Sequence, residues 1–205
     1  MTKYICCFSG GKDSTAMLIH ILKNNLPLDD IIYCDVGDWM WKSAKTHIKQ
    51  VEEKLNVKIN VIDITKELDT GFQRWGFPSM FNRWCTGEKK EAMRKYIRRK
   101  YESEDNIVQY IGYCSDEEKR TSGKLYSAYS GSYPLVDAGI TTKQALQICY
   151  DYGFDFGGVY EHHHHFNCWL CPLQKVKELE SIFNDYPQYW ERLRNMQHQT
   201  DGYYQ

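Results

Sequence analysis

Three features that would assign this chain to a membrane, to secretion or to a polyanion-binding class are missing. No apolar stretch approaches the roughly 20 residues of a membrane-spanning helix. The first residues run directly into an apolar segment, so we expect no signal peptide. A net charge of −1 over 205 residues gives no global basic field, and nucleic-acid binding would have to be local. The sequence therefore predicts a cytoplasmic protein without a membrane partner.

One glycine-containing segment joins the first apolar run, Tyr4 to Phe8, to the first amphipathic helical pattern; it consists of Ser9, Gly10, Gly11, Lys12, Asp13 and Ser14. A strand, a glycine turn and a helix in this order direct backbone N–H groups and the positive helix end at an anion. Adjacent glycines let the backbone approach phosphate oxygens without a Cβ in the way. Lys12 adds a charge and Ser14 a hydroxyl, which makes both candidate catalytic residues. It is not a Walker A loop, because Asp13 separates the lysine from the serine.

Apolar segments and helical patterns alternate through the first half of the chain, as in a parallel α/β sheet. Further strands are expected near residues 31–34, 57–61 and 107–111, with a loop over 69–84 and a charged helix over 88–100. Thr141 is expected to cap a later helix, and Pro187 to separate the last two. We predict a doubly wound α/β core over residues 1–130. A small, mainly helical C-terminal cap over 131–205 is expected to pack on it.

Two further strand ends carry residues suited to a nucleotide, because ligands of open parallel sheets bind at the carboxyl ends of the strands. After the second strand, Asp35 can accept hydrogen bonds from ribose hydroxyls, and Gly37 lets a ring approach closely. After the fourth strand comes Gly112, with Arg120 close behind as a further catalytic candidate. The phosphate-binding segment, Asp35, Gly37 and Gly112 together form the predicted nucleotide site.

The cysteines predict a metal site, because eight cysteines without a secretion signal indicate a reducing compartment. Cys168 and Cys171 have the two-residue gap that lets both thiolates reach one metal. Cys85 is the best third ligand, since it also precedes a helical pattern. The fourth ligand stays open between Cys114, an exogenous ligand and a histidine of the run 162–165. Three thiolates suit a [4Fe–4S] cluster, whereas three thiolates and a histidine suit zinc.

The charged helix over 88–100 concentrates cations, among them Arg94, Lys95, Arg98 and Arg99. Such a face is either simply solvated or reads phosphates of a nucleotide substrate or a nucleic acid. The sequence leaves this choice open, together with the formation of a homodimer.

The order of these motifs resembles the phosphoadenosine phosphosulfate reductase family of PP-loop ATP pyrophosphatases. Residues 9–14 match the loop SGGKDS, Asp35-Val36-Gly37 is similar to the family's Asp-Thr-Gly, and the Cys85 and CxxC segments follow in the same order. The resemblance covers about residues 3 to 195. It implies a Rossmann-like fold of the adenine nucleotide alpha-hydrolase type, which binds ATP or a related adenine nucleotide with Mg²⁺. In the iron–sulfur members a Cys-Cys pair and a CxxC hold a [4Fe–4S] cluster, but Trp84 replaces the first cysteine here.

A second departure concerns the reaction. The family's reductases carry a catalytic cysteine near the C-terminus, and this sequence has no cysteine after Cys171. The usual thiol attack on phosphosulfate therefore lacks its nucleophile. The resemblance then implies ATP-dependent adenylylation of an unidentified small molecule or nucleotide, followed by sulfur or nitrogen transfer. The alternatives are a nucleotide-binding regulatory module without turnover, and phosphosulfate reduction that uses a cluster or an external thiol.

Overall fold

A five-stranded, wholly parallel sheet organises the chain. The computed structural model describes residues 1–102, 106–121, 129–166 and 168–199, with the backbone alone for 118–120. The strands lie in the order β3-β2-β1-β4-β5. Their bounds are β1 Thr2–Phe8, β2 Asp30–Asp35, β3 Asn60–Asp63, β4 Asn106–Tyr110 and β5 Ser130–Ser132. The order reverses between β1 and β4, so the crevice for a ligand is expected at the carboxyl end of β1.

Helices connect and cover these strands. Their bounds are α1 Lys12–Lys23, α2 Lys42–Leu55, α3 Thr65–Trp75, α4 Trp84–Lys100, α5 Pro134–Asp137, α6 Thr142–Asp151, α7 Val159–His162, α8 Val176–Asp185 and α9 Pro187–His198. Short 3-10 segments cover Gly37–Trp39, Ser115–Arg120 and Phe156–Gly158. Thr141 caps α6 through a reciprocal capping box with Gln144, as predicted. No helix in the described ranges is long and apolar enough to cross a bilayer.

Side-chain alternation along the strands assigns the two faces of the sheet. Cys6 and Phe8 of β1 join the larger core, which α1, α2 and α6 cover. Ile5, between them, joins a second cluster with Ile97 of α4 and Ile107 of β4. Helices therefore cover both faces, and the predicted doubly wound α/β fold is confirmed.

The expected loop over 69–84 was wrong in its first half, where the chain forms α3. Gly71 lies inside that helix and argued for a loop, but it is buried beneath the ring of Trp84 at the start of α4. A Cβ at Gly71 would overlap that ring, so the glycine serves helix–helix packing rather than a turn. The packing gained outweighs the roughly 1 kcal/mol that glycine costs inside a helix.

The C-terminal segment folds back onto the carboxyl edge of the sheet. Trp169, inside the CxxC loop, donates its backbone N–H to Trp39 O at 3.2 Å and its indole N–H to Asp38 O at 2.8 Å. Tyr189 of α9 accepts a hydrogen bond from the backbone N–H of Lys42 at 3.0 Å. The expected boundary at residue 130 falls at the start of β5, which pairs with β4 as the last strand of the sheet.

Candidate nucleotide and metal site

The predicted phosphate-binding segment forms the turn between β1 and α1. Gly10 has a φ of +78°, a left-handed conformation that favours glycine. Ser14 donates its hydroxyl to Gly11 O at 3.0 Å and accepts the backbone N–H of Ser9 at 3.2 Å. These bonds fix the turn against the first turn of α1, where the positive end of a 12-residue helix lies.

Lys12 is buried at this turn although it carries a charge. Its Nζ lies 3.3 Å from a carboxylate oxygen of Asp13 and donates to His164 O at 3.3 Å. The backbone N–H of Lys12 donates to the hydroxyl of Tyr160 at 2.8 Å, and Nζ lies 5.2 Å from the centre of the same ring. The cap thus contacts the segment predicted to bind phosphate. Sequence reasoning missed Tyr160 and considered His164 only as a possible metal ligand in the run 162–165, because no local pattern links residues so distant in the chain.

The other predicted nucleotide residues lie at the expected strand ends. A Cβ at Gly112 would lie 3.0 Å from Ser14 N, so glycine lets the end of β4 approach the first turn of α1. Gly37 has a φ of +58°, and its N–H donates to Asp35 Oδ1 at 2.8 Å. One oxygen of Asp35 therefore stabilises this turn. Arg120 ends a 3-10 segment, and its side chain lies outside the described residues.

Asp13, Cys114 and Glu117 bring one ligand atom each within 4.8 Å of one another. Cys114 donates its thiol to Asp13 Oδ1 at 3.3 Å. Burial and then the Asp13 carboxylate raise the pKa of Cys114 to about 12, so the thiol stays protonated. Two carboxylates suit a hard cation such as magnesium, whereas a neutral thiol does not. Asp13 and Glu117 therefore fit the Mg²⁺ that the nucleotide-binding resemblance implies.

The three predicted metal ligands meet near Lys89. Cys85 lies in the first turn of α4, and Lys89, one turn later, places Nζ 3.7 Å from the Cys168 sulfur. The pKa of Lys89 is raised, chiefly by its electrostatic interaction with Cys168, and the ammonium group therefore stays charged. Burial raises the pKa of Cys85 and of Cys171, and the electrostatic influence of Cys168 raises both pKa values further. The structure thus brings all three cysteines into one electrostatic environment.

The sulfurs of Cys85, Cys168 and Cys171 do not all lie within 4.8 Å of one another, since the Asp13 group is the one set among the described residues that meets this limit. A zinc ion with Zn–S bonds of about 2.3 Å would require its sulfur ligands to approach to about 4 Å.

The structure shows contacts of three candidates for a fourth ligand. Cys114 contacts Asp13 at the phosphate-binding turn. His163 packs against Trp41, with ring centroids 4.9 Å apart. His164 donates its backbone N–H to Glu178 at 2.8 Å.

A basic and aromatic surface adjoins the cysteine site. On α4, the side chains of Arg94 and Lys95 are 53% and 71% exposed, although both pair with Glu91. The segment before α4 exposes Met80 and Phe81, at 65% and 96%.

Comparison with known proteins identifies the family of this chain. The model of the phosphoadenosine phosphosulfate reductase domain matches residues 3–126. An uncharacterised protein of Methanocaldococcus jannaschii is 26% identical over 211 residues, which cover 92% of this chain. The chain spans only 40% of that relative's length.

Two solved structures are similar at a TM-score of 0.47. An NH3-dependent NAD synthetase from Campylobacter jejuni is 14% identical. The match covers 94% of the present chain and 77% of the synthetase chain. The U34-tRNA thiolase NcsA from Methanococcus maripaludis, with its [4Fe–4S] cluster, is 16% identical. This match covers 96% of the present chain and 71% of the thiolase chain. The match of the domain model over more than half of the residues, together with the turn at Lys12, assigns the chain to the phosphoadenosine phosphosulfate reductase family of PP-loop proteins.

Proposed function

We propose that this protein uses ATP to adenylylate an oxygen of its substrate and then transfers sulfur or nitrogen to the activated carbon. The observation that carries the proposal is the meeting of Lys12, Ser14 and the Asp13–Glu117 carboxylates at one helix N-terminus. Family membership supports nucleotide use. The specific reaction rests on the local chemistry of these residues.

In the proposed reaction a substrate oxygen attacks the α-phosphorus of ATP, and the bond to the β-phosphate oxygen breaks. Pyrophosphate leaves towards the turn at residues 9–14, where Lys12 and the backbone N–H groups stabilise its charge. Ser14 positions the turn through its bond to Gly11. Magnesium at Asp13 and Glu117, when bound, supplies the positive charge that neutralises phosphate oxygens. A sulfur or nitrogen nucleophile then displaces AMP.

Nucleotide binding requires rearrangement at Lys12. Its ammonium contacts Asp13 and His164, and its backbone N–H is bonded to Tyr160. We propose that phosphate oxygens replace the Tyr160 hydroxyl and attract Nζ away from Asp13. This movement frees Asp13 for a cation at the same step.

ATP–pyrophosphate exchange in the presence of candidate substrates tests the proposal. Lys12→Ala should lower the exchange rate by about 10²–10³-fold, the usual loss when one donor to a developing charge is removed. Lys23→Ala, at the other end of α1, is the matched control and should exchange normally. Equal rates in the two variants would contradict the role of Lys12.

The cysteine site is proposed to hold a [4Fe–4S] cluster through Cys85, Cys168 and Cys171. When bound, a cluster with three protein thiolates supplies an open coordination position beside the nucleotide. The ammonium group of Lys89, 3.7 Å from the Cys168 sulfur, would stabilise the thiolate that binds the cluster. Iron and zinc analysis with an optical spectrum, on anaerobically purified protein, tests this ligand set. Bound zinc without iron would contradict the cluster.

The main alternative is a nucleotide-binding regulatory module. The incomplete cluster motif, with Trp84 in place of the first cysteine of the pair, supports this alternative, whereas Lys12 and Ser14 at the turn oppose it. It predicts ATP binding without formation of AMP. Sulfite formation from phosphoadenosine phosphosulfate with thioredoxin would instead support a reductase that lacks the C-terminal cysteine.

The surface of α4 supports a nucleic acid as the partner that carries the substrate. Exposed cations can neutralise phosphates, and Phe81 offers a ring face on which an unpaired base can stack. Binding to single-stranded RNA should then fall steeply between low and physiological salt. The absence of salt-sensitive binding would leave a small-molecule substrate.

A further inference from the structure

A small cavity lies between the N-terminal end of α2 and helix α9 of the cap. It encloses about 150 Å³ and is lined by three cationic residues, Lys42, Lys45 and Arg192, and by Met40, Trp41 and Tyr189. None of these six residues takes part in the proposed adenylylation.

The charge of the cavity wall is predominantly positive. Lys42 and Lys45 lie on the first turn of α2, a 14-residue helix with no acidic residue in that turn and no side-chain cap. The positive end of the helix dipole therefore adds to both ammonium groups. Arg192 donates to the Asp38 backbone oxygen at 3.2 Å. The Asp38 carboxylate is the one negative group among the lining residues; it is 78% exposed and 3.6 Å from Arg192.

Trp41 lines the cavity as an apolar wall. Its indole Nε1 is buried away from solvent, and its ring packs against His163, Tyr186 and Tyr189, with ring centroids 4.9, 5.0 and 5.2 Å away. The polar groups that the cavity offers to a ligand are therefore the three cations.

The position of the cavity connects the two parts of the proposed site. Gly37 also lines it, two residues after Asp35 at the carboxyl end of β2. On its other side, Tyr189 stacks on Trp169 at 5.1 Å between centroids, and Arg192 lies 5.4 Å from the same indole. Trp169 directly follows Cys168. A ligand in this cavity would therefore lie beside both the nucleotide edge and the cysteine loop.

We propose that this cavity binds an oxyanion group of the second substrate, with an apolar part of that substrate against Met40 and Tyr189. The inference deepens the proposed function and rests on it for the identity of the ligand as a substrate. The oxyanion is either a phosphate or a carboxylate. Both would be held by the two lysines of α2 and by Arg192.

Inorganic phosphate is titrated by calorimetry into the Lys12→Ala protein, in which the competing phosphate-binding turn has lost its cation. Saturable binding should persist in that background. Adding Lys45→Ala or Arg192→Ala should weaken it about tenfold, the loss expected for one hydrogen bond between charged groups. Lys49→Ala on α2 and Arg194→Ala on α9 do not line the cavity and are the matched controls. Asp38→Asn should strengthen binding, because it removes the one opposing charge.

Acetate as a second probe identifies the group. Weaker binding of acetate than of phosphate indicates a phosphate-bearing substrate, and tighter binding of acetate indicates a carboxylate. No saturable binding of either anion, or equal losses in the cavity variants and their controls, would overturn the inference. If the cavity binds an anion but no AMP forms with any substrate, the proposed function fails while the anion site stands.

Discussion

Lys12 is the residue on which the proposed chemistry depends, and the structure holds it between the core and the cap. Its side chain is 5% exposed, and its ion-pair partner among the described residues is Asp13. The contacts to Tyr160 and His164 span 148 and 152 positions in the sequence. A buried lysine with so few partners is suited to bind an anion that brings further negative charge.

Tyr160→Phe tests whether the cap competes with phosphate at this residue. Loss of the hydroxyl leaves the Lys12 N–H without its acceptor, so the free energy of unfolding should fall by about 1 kcal/mol. ATP should bind several-fold more tightly, because its phosphate no longer displaces a hydrogen bond. Urea denaturation and calorimetry measure the two effects. Weaker ATP binding would show instead that Tyr160 contacts the nucleotide.

The phosphate-binding turn was predictable at the residue scale, because a strand, two glycines and a helix are adjacent in sequence. Residues 9–14 form the predicted turn between β1 and α1. The contacts of Tyr160 and of Glu117 were not predictable in this way. They depend on where the cap and the end of β4 lie in the folded chain, which no local pattern encodes.

At the scale of elements, α2 joins the core to the cap through a buried histidine. His47 is 1% exposed and lies 3.1 Å from Thr15 Oγ1 of α1 through Nε2. Its ring packs against Phe154 and Phe156. Burial lowers the pKa of His47 from 6.5 to about 4, against a smaller raising effect of Asp155.

This lowered pKa predicts a loss of stability in acid. The unfolded chain takes up a proton near pH 6.5, whereas the folded chain resists it until about pH 4. The stabilisation is therefore fully present above pH 6.5 and is lost as the pH falls towards 4, by about 3 kcal/mol in total. His47→Gln should remove this part of the pH dependence. Urea denaturation at pH 7 and pH 4.5 measures it, with His198→Gln as the exposed control; equal pH dependence in both variants would contradict the prediction.

The error over α3 shows the limit of element prediction from glycine. Gly71 and Gly76 suggested one continuous loop, yet only Gly76 ends the helix, with a φ of +69°. Gly71 is a contact point for Trp84, thirteen residues later. Strand β5 was missed for a related reason: Ser130-Gly131-Ser132 has no apolar residue, and its pairing with β4 alone defines it as a strand.

At the scale of the whole molecule, three candidate sites share the carboxyl edge of one sheet. The turn at residues 9–14 follows β1, the cavity proposed to bind an oxyanion begins after β2, and the Asp13–Glu117 carboxylates join α1 to the segment after β4. The CxxC loop of the cap is fixed to this edge through Trp169. The alternation of strands and helices in the sequence predicted the sheet and its ligand edge, because parallel pairing requires such crossovers. It did not predict how the cap would cover that edge.

The central claim is that this edge cleaves ATP between its α and β phosphates. Incubation with ATP labelled at the α-phosphorus, in the presence of candidate acceptors and a sulfur or nitrogen donor, is followed by chromatography, which separates labelled AMP from labelled ADP. Pyrophosphate and inorganic phosphate are measured in the same samples by enzymatic assays. The proposed reaction predicts AMP with an equal amount of pyrophosphate, both lost in Lys12→Ala and retained in Lys23→Ala. Formation of ADP and inorganic phosphate, or ATP binding with no cleavage under any acceptor, would contradict the claim.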